Sequence, residues 1–182
     1  MEEAPEDLEW IRAPSSLALI GCSGSSKSTW ILKFLKDLPI KSKIGKIYYM
    51  YGVWQDLYQS VIEAYPSATF VQGLNEKIIE DENNWSLDPE KIDILIVDDN
   101  CESAVRSETY SKMFTTYSHH RNIINIYVTQ NPYIQGKYST TINRNCQYYV
   151  LFKMPQLNVG IYIYIFCWNY QLIKCKFSRL YL

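Results

Sequence analysis

Residues 109–182 contain no aspartate or glutamate, although the 182-residue chain carries 19 of them. Any general base or metal ligand made of carboxylate must therefore come from the first 108 residues. Histidine is scarce too, and the adjacent pair His119-His120 points in two directions on any regular element, which argues against a shared metal site. A surface facing a neighbouring subunit or DNA suits His119-His120-Arg121 better. The five cysteines, Cys22, Cys101, Cys146, Cys167 and Cys175, are odd in number and form no CxxC pair. A structural zinc site is not expected, and a reducing intracellular compartment is. Long apolar runs are missing: the longest, Val159 to Trp168, is too short to span a bilayer, so no membrane partner is expected. The N-terminus begins with Glu2, Glu3, Glu6, Asp7 and Glu9, the reverse of a signal peptide's basic start and apolar core. Secretion is not expected.

A hydrophobic fraction of 47% is enough to fill one α/β-sized core. The net charge of -1 conceals a division. Residues 1–108 hold all 19 acids and 10 of the 18 bases, whereas Lys112, Arg121, Lys137, Arg144, Lys153, Lys174, Lys176 and Arg179 stand alone in the rest. The second part can face a polyanion, or its charge can simply balance the acidic part within one fold.

Apolar patterning places strands at 16–20, 46–51, 68–71, 92–97, 123–128 and 147–152. Helices are expected from Ser28, with Ile31, Phe34, Leu35 and Leu38 on one face before Pro39, over 54–65, and from Asp99 to Tyr117 with Val105, Met113 and Phe114 inward. Residues 75–91 read as a solvated connection. Strands alternating with helices predict an α/β fold with a mostly parallel, doubly wound sheet and helices on both faces.

Between the first strand and its helix lies Gly21-Cys22-Ser23-Gly24-Ser25-Ser26-Lys27-Ser28, followed by Thr29. It nearly matches GxxxxGK[ST], the phosphate loop of P-loop NTPases (Walker A). Backbone N–H groups of such a loop wrap phosphates at a helix N-terminus, the lysine reaches the β- and γ-phosphates, and the hydroxyl binds magnesium. Ser26 departs from the pattern, standing where the second glycine belongs. The strand Ile92 to Val97 ends in Asp98-Asp99, as a Walker B element does. Asp98 is the candidate magnesium holder with Ser28, and Asp99 the candidate for polarising the attacking water. Gln130, after the strand at 123–128, is a candidate to sense the γ-phosphate or align water. Each feature has a plainer reading: a Ser/Gly-rich turn, a solvated strand end, and a turn former before Pro132.

The loop, "YYMYGVWQDLY" (48–58), "ILIVDDN" (94–100), "SHHRNIINIYVTQNPYIQGKYSTTI" (118–142) and "NCQYYVLFKMP" (145–155) occur in that order. Together they resemble the genome-packaging ATPases of large DNA viruses and of Polinton and adintovirus elements, which are similar to the FtsK-HerA motors. The resemblance covers about residues 15–155. It implies ATP and Mg2+ as cofactors, a homo-oligomeric ring, and double-stranded DNA driven into a capsid with capsid or portal-vertex proteins as partners. A host nucleus or cytoplasmic assembly site follows from it. By position it gives nucleotide binding to residues 21–29, metal binding to Ser28 and Asp98, and catalysis to Lys27, Asp99 and Gln130. Thr140 stands where relatives place an arginine, and Arg144 or Arg121 are the candidates to replace it. The same comparison leaves 1–14 as an acidic extension and 156–182 as an atypical apolar and basic tail. That tail reads as a terminal hairpin, a frameshifted or spliced end, or a decayed element copy; with Ser26 and Thr140 it leaves open a decayed, non-hydrolysing nucleotide-binding or interaction protein that keeps the P-loop fold. A small-molecule kinase lacks support, because no Arg-rich lid occurs.

Overall fold

The structure, a computed structural model, describes residues 11–36, 43–86, 88–131 and 133–152, and the backbone of 162–166 and 172–175. The strands are β1 (Ser15–Ile20), β2 (Lys43–Tyr51), β3 (Thr69–Gln72), β4 (Lys91–Asp98), β5 (Ile123–Thr129), β6 (Tyr148–Leu151), β7 (Tyr162–Phe166) and β8 (Leu172–Cys175). The helices are α1 (Lys27–Lys36), α2 (Leu57–Ala64), α3 (Glu76–Glu80), α4 (Cys101–Ala104), α5 (Glu108–Lys112), α6 (Ser118–His120) and α7 (Ser139–Arg144). One sheet runs β3-β2-β4-β5-β1-β6-β7-β8. Its first six strands are parallel, and β7 and β8 add to β6 as an antiparallel hairpin. Within the tail, the described backbone of 162–166 and 172–175 pairs antiparallel, and its origin stays open among the three readings. The rest of 156–182 lies outside the described residues, as do Leu38, Pro39 and residues 1–10.

Period-2 alternation sorts each strand's side chains between two cores. Leu17 and Leu19 of β1 and Ile94 and Ile96 of β4 pack with Ile31, Phe34 and Leu35 of α1 and with Tyr58 and Val61 of α2. Ala18, Ile20, Leu95 and Val97 face the other way, onto Val105, Tyr110, Met113, Phe114 and Ile142. Both faces are thus covered, as expected of a buried parallel sheet, and each fully buried aliphatic side chain contributes about 1.5–3 kcal/mol. Ile11 is also buried in the α1-side core, so the packed body reaches into the segment set apart as 1–14.

Two expected elements differ. Residues 75–91 are not wholly solvated: α3 forms there, its N-cap Asn75 accepting from the Ile78 amide, and Ile79 and Trp85 are buried against the sheet. Two adjacent isoleucines, Ile78 and Ile79, in a five-residue helix are too few to register as a periodic face. The helix expected up to Tyr117 breaks after Ala104. Ser107 caps a new start by accepting from the Tyr110 amide, and a π-helical turn (Met113–Tyr117) connects α5 to α6. Val105, Met113 and Phe114 nevertheless point inward.

Candidate functional site

The loops following β1, β2, β4 and β5 meet at the carboxyl edge of the sheet, where open α/β folds collect ligands. They enclose a cavity of about 390 Å³ lined by Ser23 through Thr29, Gln55, Leu57, Asp98, Asp99 and Gln130. The cavity therefore joins most of the phosphate loop to the Walker B acids and to the glutamine of the next strand. Gly21 and Cys22 do not line it. Their carbonyls accept hydrogen bonds from Lys27 Nζ, each at 2.8 Å.

Two residues of the loop need the left-handed backbone region. Gly24, at φ +72°, takes it without steric cost, whereas Ser26 takes it at φ +68° with a Cβ in place. The position left without its motif glycine is one that a glycine would relax. Ser26→Gly is expected to stabilise the chain by about 0.5–1 kcal/mol, which thermal melting reads as a rise of about 1–4 °C.

Lys27 is 8% exposed, and burial lowers its pKa from the ordinary lysine value, with the carboxylates of Asp98 and Asp99 opposing that shift. Asp98, at the buried end of β4, is 2% exposed. Its Oδ2 accepts from Tyr49 Oη at 2.9 Å, Tyr58 Oη at 3.1 Å and Ser28 Oγ at 3.2 Å. Burial pushes the Asp98 carboxyl upward, as does Asp99, and hydrogen bonds from Tyr49, Tyr58 and Ser28 pull it down. Asp99 sits at φ +54°, a region aspartate tolerates better than most residues. Its carbonyl lies so near Gly52 that a Cβ there would meet it at 2.5 Å, which explains the glycine at the end of β2. Gln130 Nε2 donates to Asp99 Oδ1 at 3.4 Å across the cavity mouth.

Among the described residues, no cluster of three or more His, Cys, Asp or Glu is placed to hold a metal. Magnesium keeps waters and takes one or two protein oxygens plus phosphates. Ser28 and Asp98, already joined through hydroxyl and carboxylate, are such a pair.

Sequence similarity is silent: no protein-family model and no curated protein matches the chain. Solved structures do match. The genome packaging NTPase B204 from Sulfolobus turreted icosahedral virus 2, in complex with ATP-gammaS, aligns with TM-score 0.54 over 84% of this chain and 92% of its own, at 14% identity. The fold is that of the P-loop NTPases. EssC (ATPases 2 and 3) from Geobacillus thermodenitrificans gives 0.52 at 15% identity, over 78% of this chain and 32% of its own. The flagellar accessory protein FlaH from Methanocaldococcus jannaschii gives 0.53 at 12% identity, over 85% and 79%. The P-loop fold accounts for the six parallel strands and for the place of the cavity.

The arginines considered as replacements at Thr140 lie elsewhere. Arg121 precedes β5, at the opposite end of the sheet, and donates to the Ile79 and Glu80 carbonyls while stacking on Tyr117. Arg144 is exposed at the end of α7, just before β6 and so at that same far end. Thr140, His119 and His120 are exposed as well. Sequence reasoning passed over Gln55 and Leu57, which follow β2 into the cavity, and the hydroxyls of Tyr49 and Tyr58. The available signal was the strand-end loop 52–56 next to a tyrosine-rich strand. Among the described residues no helix is long and apolar enough to cross a membrane.

Proposed function

We propose that this chain is a magnesium-dependent ATPase that translocates double-stranded DNA, of the genome-packaging kind seen in large DNA viruses and Polinton-like elements. The observation that carries the reading is the single cavity uniting Ser23–Thr29 with Asp98, Asp99 and Gln130. Its lining has one cation, Lys27, beside two carboxylates, so a divalent ion would strengthen the binding of a triphosphate. Magnesium held by Ser28 and Asp98 would neutralise charge on the β- and γ-phosphates. Lys27 binds those phosphates, the N-terminal amides of α1 cradle them, and Asp99 with Gln130 orients the attacking water and takes its proton. Likeness to B204, a DNA-packaging ATPase, supports DNA as the translocated polymer. A homo-oligomeric ring would let the carboxylate-free second part meet DNA phosphates or a neighbouring subunit.

The test is ATP turnover with and without linear duplex DNA. Stimulation is expected at roughly 50 mM salt and is expected to vanish by roughly 200 mM, as phosphate contacts are screened. Turnover indifferent to DNA at low salt sinks the motor reading. A second reading, nucleotide binding without hydrolysis, is favoured by the left-handed Ser26. Tight ATP binding with no turnover, unrescued by Ser26→Gly, would support it.

A further inference from the structure

We propose that Tyr49 and Tyr58 are positioning residues for Asp98, fixing which of its carboxylate oxygens is left to a magnesium-bound water. The proposal rests on the nucleotide reading above and adds two residues to it. All three side-chain hydrogen bonds to Asp98 converge on Oδ2, at 2.9, 3.1 and 3.2 Å from Tyr49, Tyr58 and Ser28, and among the described residues none reaches Oδ1. A carboxylate oxygen accepting three donors has little capacity left. Oδ1 is therefore the oxygen with lone pairs to spare, and rotation of the carboxyl group would break three bonds at once.

The donors are themselves held. Tyr49 belongs to β2 and Tyr58 to α2, and their rings pack at 4.7 Å between centroids. Phe70 stacks on Tyr49 at 5.1 Å, and Trp54 meets Tyr58 edge-on at 5.5 Å. Phenylalanine would serve this packing equally well. The two hydroxyls, buried and aimed at the same oxygen, are what packing does not require. They act through Asp98 and touch no substrate, and Ser28, the third donor, ties the same oxygen to the phosphate loop.

Affinity for the non-hydrolysable analogue AMP-PNP tests this, measured by calorimetry with Mg2+ and with EDTA, in the wild type, Tyr58→Phe and the double variant Tyr49→Phe/Tyr58→Phe. In EDTA all three proteins are expected to bind alike. The gain in affinity conferred by Mg2+ is expected to fall about 10-fold in Tyr58→Phe and towards about 100-fold in the double variant, the range for groups that orient a metal ligand. Electron paramagnetic resonance of Mn2+ in the analogue complex should weaken in parallel. A wild type whose binding ignores Mg2+ overturns the nucleotide reading itself. A wild type that responds to Mg2+, with variants that respond equally, overturns the positioning role alone. Equal losses in EDTA and Mg2+ also overturn it, since they mark a merely structural role. If the double variant does not fold, Tyr58→Phe decides.

Discussion

Asp99→Asn is expected to lower the turnover number for ATP by about 10²–10³-fold while ATP affinity stays within a few-fold. Asparagine keeps the size of the side chain and tolerates the left-handed region that Asp99 occupies at φ +54°, so the backbone and the nearby Gly52 contact should persist. The hydrogen bond at 3.4 Å from Gln130 can be kept through the amide oxygen. What disappears is the anionic oxygen able to take a proton from water. The result therefore separates chemistry from assembly: pre-steady-state turnover should collapse while equilibrium binding of AMP-PNP does not. A loss of binding equal to the loss of rate would remove Asp99 from the role of base. Glutamate, the residue more usual in this role, is less suited to φ +54° than aspartate, so a chain that needs this backbone shape gains from the shorter acid.

Lys27→Ala is expected to weaken ATP binding by about 3 kcal/mol, or roughly two orders of magnitude, as is typical when one partner of a desolvated charge pair is truncated. Lys27 is well placed for that contribution because its ammonium is already poorly hydrated, bonded to the carbonyls of Gly21 and Cys22 and facing two carboxylates. Phosphates entering the cavity would replace those ammonium–carbonyl contacts with ion-paired ones, in which both partners are charged. Calorimetry with ATP in Mg2+ reads the loss directly. An affinity within a factor of three of the wild type would mean that the loop binds no triphosphate through Lys27, and the P-loop assignment of function would fall with it.

The parts of this site visible in the sequence are those with a strong local pattern. The β-branched run into Asp98-Asp99 and the small-residue loop before an amphipathic helix each carry their meaning within about ten residues. Tyr49 and Tyr58 carry theirs only across space, because a tyrosine in an apolar strand or helix reads as packing until its hydroxyl is seen against Asp98. Asp93 is a similar case. It is fully buried, with Oδ1 accepting the Lys46 amide at 2.6 Å and Oδ2 accepting the Ser86 amide, where the β2–β4 register shifts between Ile44 and Ile47. In sequence it merely interrupts a run of isoleucines. The break before α5 was legible in principle, since Ser107 followed by Glu108 is an N-cap pattern, but the apolar spacing on either side suggested continuity.

The sheet order has a consequence for the order of assembly. Strand β1, which carries the phosphate loop, pairs only with β5 and β6, and its partners Ile124 and Tyr148 are made more than a hundred residues after Ser15 and Leu17. A nascent chain emerging from the ribosome can pair β2 with β3 and then with β4 long before β1 has any neighbour. Strand β1, made before the other described strands, is thus among the last of them to be locked in, and closure of so distant a pairing makes it a slow step. Until that step, the loop after Ile20 has no completed sheet to stand on.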